Sequence, residues 1–340
     1  MYNAQGERER APSPVQRPCA TAAAAAYLLA AAGLILVGVL YAPLERGVRA
    51  LFPGMGDHGV LLLTQAAYYL PFMLLPALLL ARRGPDAARL TGAPGLVGML
   101  GVAGLALCGL LLAQYVSVLW AMVLEALHVP VLESSIALPD NAADTMLMVI
   151  YYAALPGVCE ELFFRGALLG AFERVGTRRA VALVAVLFTL LHGSIEGLPV
   201  QLFLGFMLGY LAYAFNSVYA PVVYHTVHNA AIVLINVYAS GGGAAQEEQA
   251  QLAQSTFAYY GGWAGVVQLV VYAALLAWAM QGFLRVVGHG AQRRGAVCVP
   301  PRAQKLPAGA HALLAAGVVI MALVYFGNAI VAWQIAGGGM

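Results

Sequence analysis

Nine apolar runs follow one another along this 340-residue chain, at 19–41, 59–81, 95–119, 146–172, 180–193, 198–215, 219–238, 262–284 and 312–336. A helix needs roughly 20 mainly apolar residues to cross a bilayer. Inside hydrocarbon, its backbone polar groups must be satisfied within the protein. The runs are continuous and rich in Leu and Ala rather than alternating, so they read as helices and not as the strands of a barrel. The expected fold is all-α, a polytopic transmembrane helical bundle of about nine spans. The run at 180–193 is short, and is expected to be tilted or partly buried; the third is expected to continue towards Leu127. Composition closes off a soluble domain: 9% of residues are charged and 62% hydrophobic, where a soluble domain carries about 25% charged residues.

Basic residues set the expected orientation, because loops on the cytoplasmic side collect Lys and Arg. One alternate set of loops holds Arg8, Arg10, Arg17, then Arg82, Arg83, Arg89, then Arg174, Arg178, Arg179, then Arg285, Arg293, Arg294, Arg302 and Lys305. The opposite set has Arg46 and Arg49 as its basic residues, and it also carries Glu125, Glu133, Asp140, Glu247 and Glu248. The expectation is a protein integral to the cell membrane, with the amino terminus cytoplasmic and the carboxyl terminus outside. No small-residue cleavage site follows the first run, which is therefore read as a retained span. A net charge of +2 gives no reason to expect nucleic acid as a partner. The four cysteines, Cys19, Cys108, Cys159 and Cys298, are scattered without a CxxC pair, and imply neither a disulfide framework nor a cysteine-based zinc site. A single lysine against many arginines, with abundant Ala and Gly, fits a GC-rich bacterial gene.

Charge inside the fourth run is the feature that points to function. The sequence there is Pro156-Gly157-Val158-Cys159-Glu160-Glu161-Leu162-Phe163-Phe164-Arg165-Gly166. Charge at membrane depth is costly and marks a partner or a function. Glu161 and Arg165 are four apart, share a helical face and can pair. Glu160 lies about 100° round the helix, free to face a cavity. Pro156 and Gly157 weaken the backbone one turn earlier, where a kink or a widened turn is expected. The fifth run ends in Phe188-Thr189-Leu190-Leu191-His192-Gly193, and the seventh contains His225-Thr226-Val227-His228-Asn229. A lone histidine in such a helix is usually interhelical glue, but three polar clusters on nearby spans point to one shared site. Counting at about 1.5 Å per helical residue, His192 and Glu161 reach the same depth, whereas His225 comes out a turn or so shallower. A tilt, or a turn at 216–221 that dips into the bilayer, would close that gap.

The chemistry open to this set is hydrolysis. A desolvated carboxylate is a competent general base for water, and imidazole and amide groups suit an oxyanion site. Glutamate and histidine are also zinc ligands, so a metal-activated water, held by Glu160, His192 and His225, stays open beside a metal-free mechanism.

Glu160-Glu161-x-x-x-Arg165, Phe188-x-x-x-His192 and His225-x-x-x-Asn229, in this order on nearby helices, resemble the CAAX-protease and bacteriocin-processing (CPBP, or Abi) family of intramembrane proteases. The resemblance runs from about Met146 to Tyr238. The remaining helices match only in being apolar, and the chain divides into a cytoplasmic N-terminal segment at 1–18, transmembrane helices at 19–145, a catalytic core at 146–239, and further transmembrane helices at 240–340 with a basic cytoplasmic linker at 285–307. The resemblance also implies catalytic roles. Glu160 would activate the water, Glu161 with Arg165 would shape the site, His192 would position the water or bind a metal, and His225 with Asn229 would stabilise the oxyanion. The implied cofactor is a divalent metal such as zinc, or none. The implied partners are the lipid bilayer and a membrane-embedded protein or peptide substrate.

Other classes fit less well. No HExxH is present. Gly54-Met55-Gly56-Asp57 spells the GxGD of aspartyl intramembrane proteases, but it falls in a loop and no second aspartate lies within a run. Gly193-Ser194 lacks a GxSG context. A non-catalytic immunity or scaffold protein and a proton-coupled transporter are the alternatives. The apolar outer halves of the fourth and fifth runs, and the lack of an internal repeat, count against transport.

Overall fold

The structure is a computed structural model, which describes residues 17–82, 89–90, 94–130, 139–241, 255–293 and 304–337. The polar loop read at 246–254, the leader up to 16 and the linker at 294–303 lie outside the described residues. Among the described residues the chain forms eleven helices and no strand. They are α1 (Ala20–Val39), α2 (Tyr41–Leu51), α3 (Asp57–Ala81), α4 (Leu96–Ala126), α5 (Ala142–Val175), α6 (Thr177–Leu191), α7 (Leu198–Phe215), α8 (Tyr219–Gly241), α9 (Thr256–Tyr259), α10 (Gly262–Arg293) and α11 (Ala308–Gly337). Eight of these are long and apolar enough to cross a membrane. The ninth expected span is α6, at 15 residues the shortest of the set that builds the site. The chain is therefore a polytopic α-helical membrane protein.

Two differences from the sequence reading have simple causes. Helix α2 was not expected, because its apolar residues Leu44, Val48 and Leu51 form one stripe while Glu45, Arg46 and Arg49 take the other face. None of its residues is buried, which suits a helix lying along the bilayer surface rather than crossing it. Helix α10 runs on to Arg293, so the first part of the expected linker at 285–307 is helical. Arg285 there reaches back one turn to Gln281, as a surface helix allows.

Helix α5 is the centre of the bundle. Every residue from 163 to 173 is buried, the pattern of a helix sheathed on all sides. Neighbours approach it and one another through small residues, as membrane helices do. A Cβ on Gly205 of α7 would sit 2.9 Å from the Ala185 Cα of α6. On α11, Gly317 lies against the Tyr27 ring of α1, where a Cβ would meet it at 2.8 Å. The Tyr27 hydroxyl in turn donates to the Leu187 carbonyl of α6 at 3.2 Å, tying the first helix to the site's helices.

The four basic segments assigned to one side by sequence meet at one end of this bundle. Glu173, at the foot of α5, pairs with Arg17 at 3.2 Å and also with Arg89. Arg89 lies 4.5 Å over the Tyr213 ring of α7, and its carbonyl accepts from the Val218 N–H at the α7–α8 turn. The Arg174 carbonyl accepts from the Gln304 N–H just before α11. The orientation expected from the sequence places this end, with its positive loops, on the cytoplasmic side. In a cysteine-free background, Arg179→Cys is expected to resist a membrane-impermeant thiol reagent added to intact cells, and Arg46→Cys to react. The reverse pattern would contradict the orientation.

Candidate active site

Proline shapes the helix that carries the two glutamates. Pro156 has no N–H to give the Tyr152 carbonyl four residues earlier, and α5 widens into a π-turn at Ile150–Ala154 just before it. The Asn229 side chain of α8 donates its Nδ2–H to that Tyr152 carbonyl at 3.1 Å. A helix-breaking residue on α5 is thus what anchors a polar residue on α8. After one α-helical stretch, Leu155–Glu161, the helix widens again into a π segment at Leu162–Leu168. Such widened turns collect at functional sites. The sequence placed the disturbance at Pro156 and Gly157; the structure puts the two wide turns on either side of the glutamates.

Glu161 and Arg165 form the buried base of the site. The Arg165 Nη1–H donates to Glu161 Oε1 at 2.7 Å, with both side chains fully buried. Its Nη2–H donates to the Gly205 carbonyl at 3.2 Å, and its guanidinium lies 4.4 Å over the Phe188 ring. His225 donates from Nδ1 to the same Glu161 oxygen, at 2.9 Å. The acceptor is a carboxylate, so this nitrogen is the one that holds the proton. Glu161 is therefore committed to two partners and does not border the cavity.

Phe188 explains the first residue of its motif. Its ring is the platform for Arg165, for His192 (centroids 4.7 Å apart) and for His225 (6.0 Å). Its carbonyl lies 2.9 Å from His192 Nδ1, so His192 donates there and presents Nε2 on its other edge. His192 caps the end of α6, and Gly193 follows at φ 64°, in the left-handed region that glycine enters without strain. The turn is pinned by Asn328 Nδ2–H to the Gly193 carbonyl at 2.8 Å, and by Trp120 Nε1–H to the Ile195 carbonyl at 2.8 Å.

These residues surround a cavity of about 300 Å³ bordered by Glu160, His192, His225 and Asn229, with Tyr69, Tyr152 and Phe164 among its other walls. Glu160 is 6% exposed, and His192 is the accessible member. Glu160 Oε1 accepts from the Tyr69 hydroxyl of α3 at 2.9 Å, while its Oε2 has no protein partner. The sequence reading missed Tyr69; its one hint was a Tyr68-Tyr69 pair before Pro71 in an otherwise apolar run. His228 lies on another face of α8, stacked over Tyr224, and does not border the cavity.

The depth offset expected for His225 is absent, since His225 and His192 share the Phe188 ring and one cavity. The α7–α8 turn accounts for this. Asn216 takes the left-handed conformation, and Ser217, Val218 and Ala220 are fully buried while Tyr219 is exposed, so the turn packs its small residues into the protein as α8 begins.

A catalytic zinc takes three protein ligands and a water. No group of three or more His, Cys, Asp or Glu side chains among the described residues is placed to hold an ion. Glu160, His192 and His225 border one cavity, and the Nδ1 hydrogen bond of His225 to Glu161 is of the kind that orients a metal-binding imidazole and leaves its Nε2 available.

Residues 142–231 match the sequence model of the family described as type II CAAX prenyl endopeptidase Rce1-like. The match agrees with the CAAX-protease resemblance read from the three motifs. No curated protein and no solved structure matches the chain. All seven motif residues, from Glu160 to Asn229, fall inside the matched segment, whereas Tyr69, Trp120 and Asn328 reach it from helices outside the match.

Close packing inside the matched segment gives a mutational test. Gly157 faces Thr226 of α8 so tightly that a Cβ would collide with its Oγ1 and sit 3.2 Å from its backbone N. Gly157→Ala is expected to push α8 off α5 and cost about 1–3 kcal/mol, the usual range for overpacking. A thermal melt in detergent should show a lowered midpoint, partly restored by adding Thr226→Ala. An unchanged midpoint would contradict the close approach.

Proposed function

We propose that this protein is an intramembrane endopeptidase that hydrolyses a peptide bond of a membrane-associated protein or peptide, with Glu160 as the general base for water. The observation that carries the reading is that Glu160, a buried carboxylate with one oxygen unpartnered, and His192 border one cavity. A water held there would meet two acceptors, the Glu160 carboxylate and Nε2 of His192, so both of its protons would be engaged and its lone pair would face the substrate. As the water attacks the carbonyl carbon, Glu160 takes one proton and then passes it to the departing amine nitrogen.

The oxyanion needs donors at the moment charge develops. Asn229 spends one of its two N–H groups on the Tyr152 carbonyl and keeps the other. His225, held through Nδ1 by Glu161 at 2.9 Å, borders the same cavity and completes the proposed oxyanion site with Asn229. No step in this scheme uses a metal.

The family description names prenylated CAAX substrates for relatives; we propose the broader class of peptides whose scissile bond reaches bilayer depth. Purified protein in proteoliposomes, given a quenched farnesylated CAAX-type peptide and quenched unprenylated apolar peptides, tests this. Cleavage of at least one is expected, as is its survival after exhaustive chelation. Loss on chelation with restoration by zinc would contradict the metal-free scheme, and no cleavage of any peptide would contradict the protease assignment.

A further inference from the structure

We infer that Tyr69 is a positioning residue for the general base: its hydroxyl holds Glu160 Oε1 and so fixes the carboxylate at the edge of the cavity where the water would sit. The inference rests on the proposed peptidase reading and adds to it a residue from α3, outside the matched domain.

Three observations converge on it. The Tyr69 hydroxyl donates to Glu160 Oε1 at 2.9 Å, whereas Oε2 of the same carboxylate is buried without a protein partner, and the side chain borders the cavity. A carboxylate on a flexible side chain turns freely unless something holds it; a charge-assisted hydrogen bond to one oxygen fixes its orientation. Second, Tyr69 is itself braced. Its ring meets Tyr68 edge to face at 5.3 Å, and the Tyr68 hydroxyl donates to the Ala30 carbonyl of α1 at 3.3 Å. Third, the α3 backbone is specialised at this point. A π-turn at Leu70–Leu74, carrying Pro71, follows Tyr69 directly, and the α5 segment facing it is flanked by π-turns as well. Wide turns on both helices meet where the tyrosine touches the glutamate.

Tyr69 gives up no proton in this role. Its O–H bond persists through the cycle, while Glu160 carries the proton from water to the amine. The hydroxyl therefore acts through Glu160 alone, and its removal should be felt only where Glu160 works.

The test is kinetic, on the full-length protein in proteoliposomes with whichever quenched peptide the wild type cleaves. Tyr69→Phe is expected to lower kcat roughly 10–100-fold, the scale of a lost hydrogen bond to a charged group, with KM little changed. The same change added to Glu160→Gln is expected to lower the residual rate no further, because the two residues act as one unit. Tyr69→Phe keeps the ring and its contact with Tyr68, so the yield of monodisperse protein should match wild type. An unchanged kcat in Tyr69→Phe, an equal further loss in the double variant, or a fall in folded yield that accounts for the lost rate would each overturn the inference while leaving the peptidase reading in place. Failure of the wild type to cleave any peptide would overturn that reading, and this inference with it.

Discussion

Replacing Glu161 by glutamine is expected to cost the protein its fold as well as its activity. Glu161 is fully buried, and its Oε1 accepts from both Arg165 at 2.7 Å and His225 at 2.9 Å. Glutamine keeps an oxygen that can accept from Arg165, but it takes away the carboxylate charge paired with that fully buried cation. Breaking one side of a buried pair costs about 3–5 kcal/mol, a large share of a typical total stability of about 5–15 kcal/mol. Size-exclusion of detergent extracts should show little monodisperse Glu161→Gln protein. Removing both charges, in Glu161→Gln with Arg165→Met, should recover part of the yield, since an uncharged pair strands nothing. A single variant extracted as well as wild type would show that the pair is not the buried anchor described here.

Glu160→Gln is expected to do the opposite, keeping the fold and losing the chemistry. Glutamine has the same shape, and its amide oxygen can still accept from Tyr69. What it lacks is basicity, and general-base catalysis contributes about 10²–10⁴-fold. A fall of that size in kcat, with KM and extracted yield near wild type, is the expected signature. A matching loss of folded protein would make Glu160 a structural residue, and an unchanged kcat would remove it from the reaction.

The two glutamates also show what sequence could and could not give. The i, i+4 spacing of Glu161 and Arg165 was enough to foresee their pairing, because helix geometry is local. The number of long helices and the gathering of basic loops at one end were likewise legible, since span length and charge bias are properties of single segments. His225 was misplaced in depth because residue counting assumes that each helix begins at the same level, whereas the turn before α8 packs Ser217 and Val218 into the protein. Tyr69 was invisible for a related reason: its partner is 91 residues away, and only the packing of α3 on α5 brings them together. The amphipathic α2 escaped because its mixed composition resembles a loop unless the angular pattern is examined. Residue types alone also did not show that His225 Nδ1 is held by Glu161.

The central claim is that Glu160 activates a water that cleaves a peptide bond inside the membrane. Mass spectrometry of a peptide cleaved by the reconstituted protein in ¹⁸O-enriched water tests it most directly. The account expects the wild type to release a product whose new carboxyl carries one heavy oxygen, and Glu160→Gln to release almost none. Cleavage by Glu160→Gln at the wild-type rate, with the same heavy-oxygen label, would contradict it.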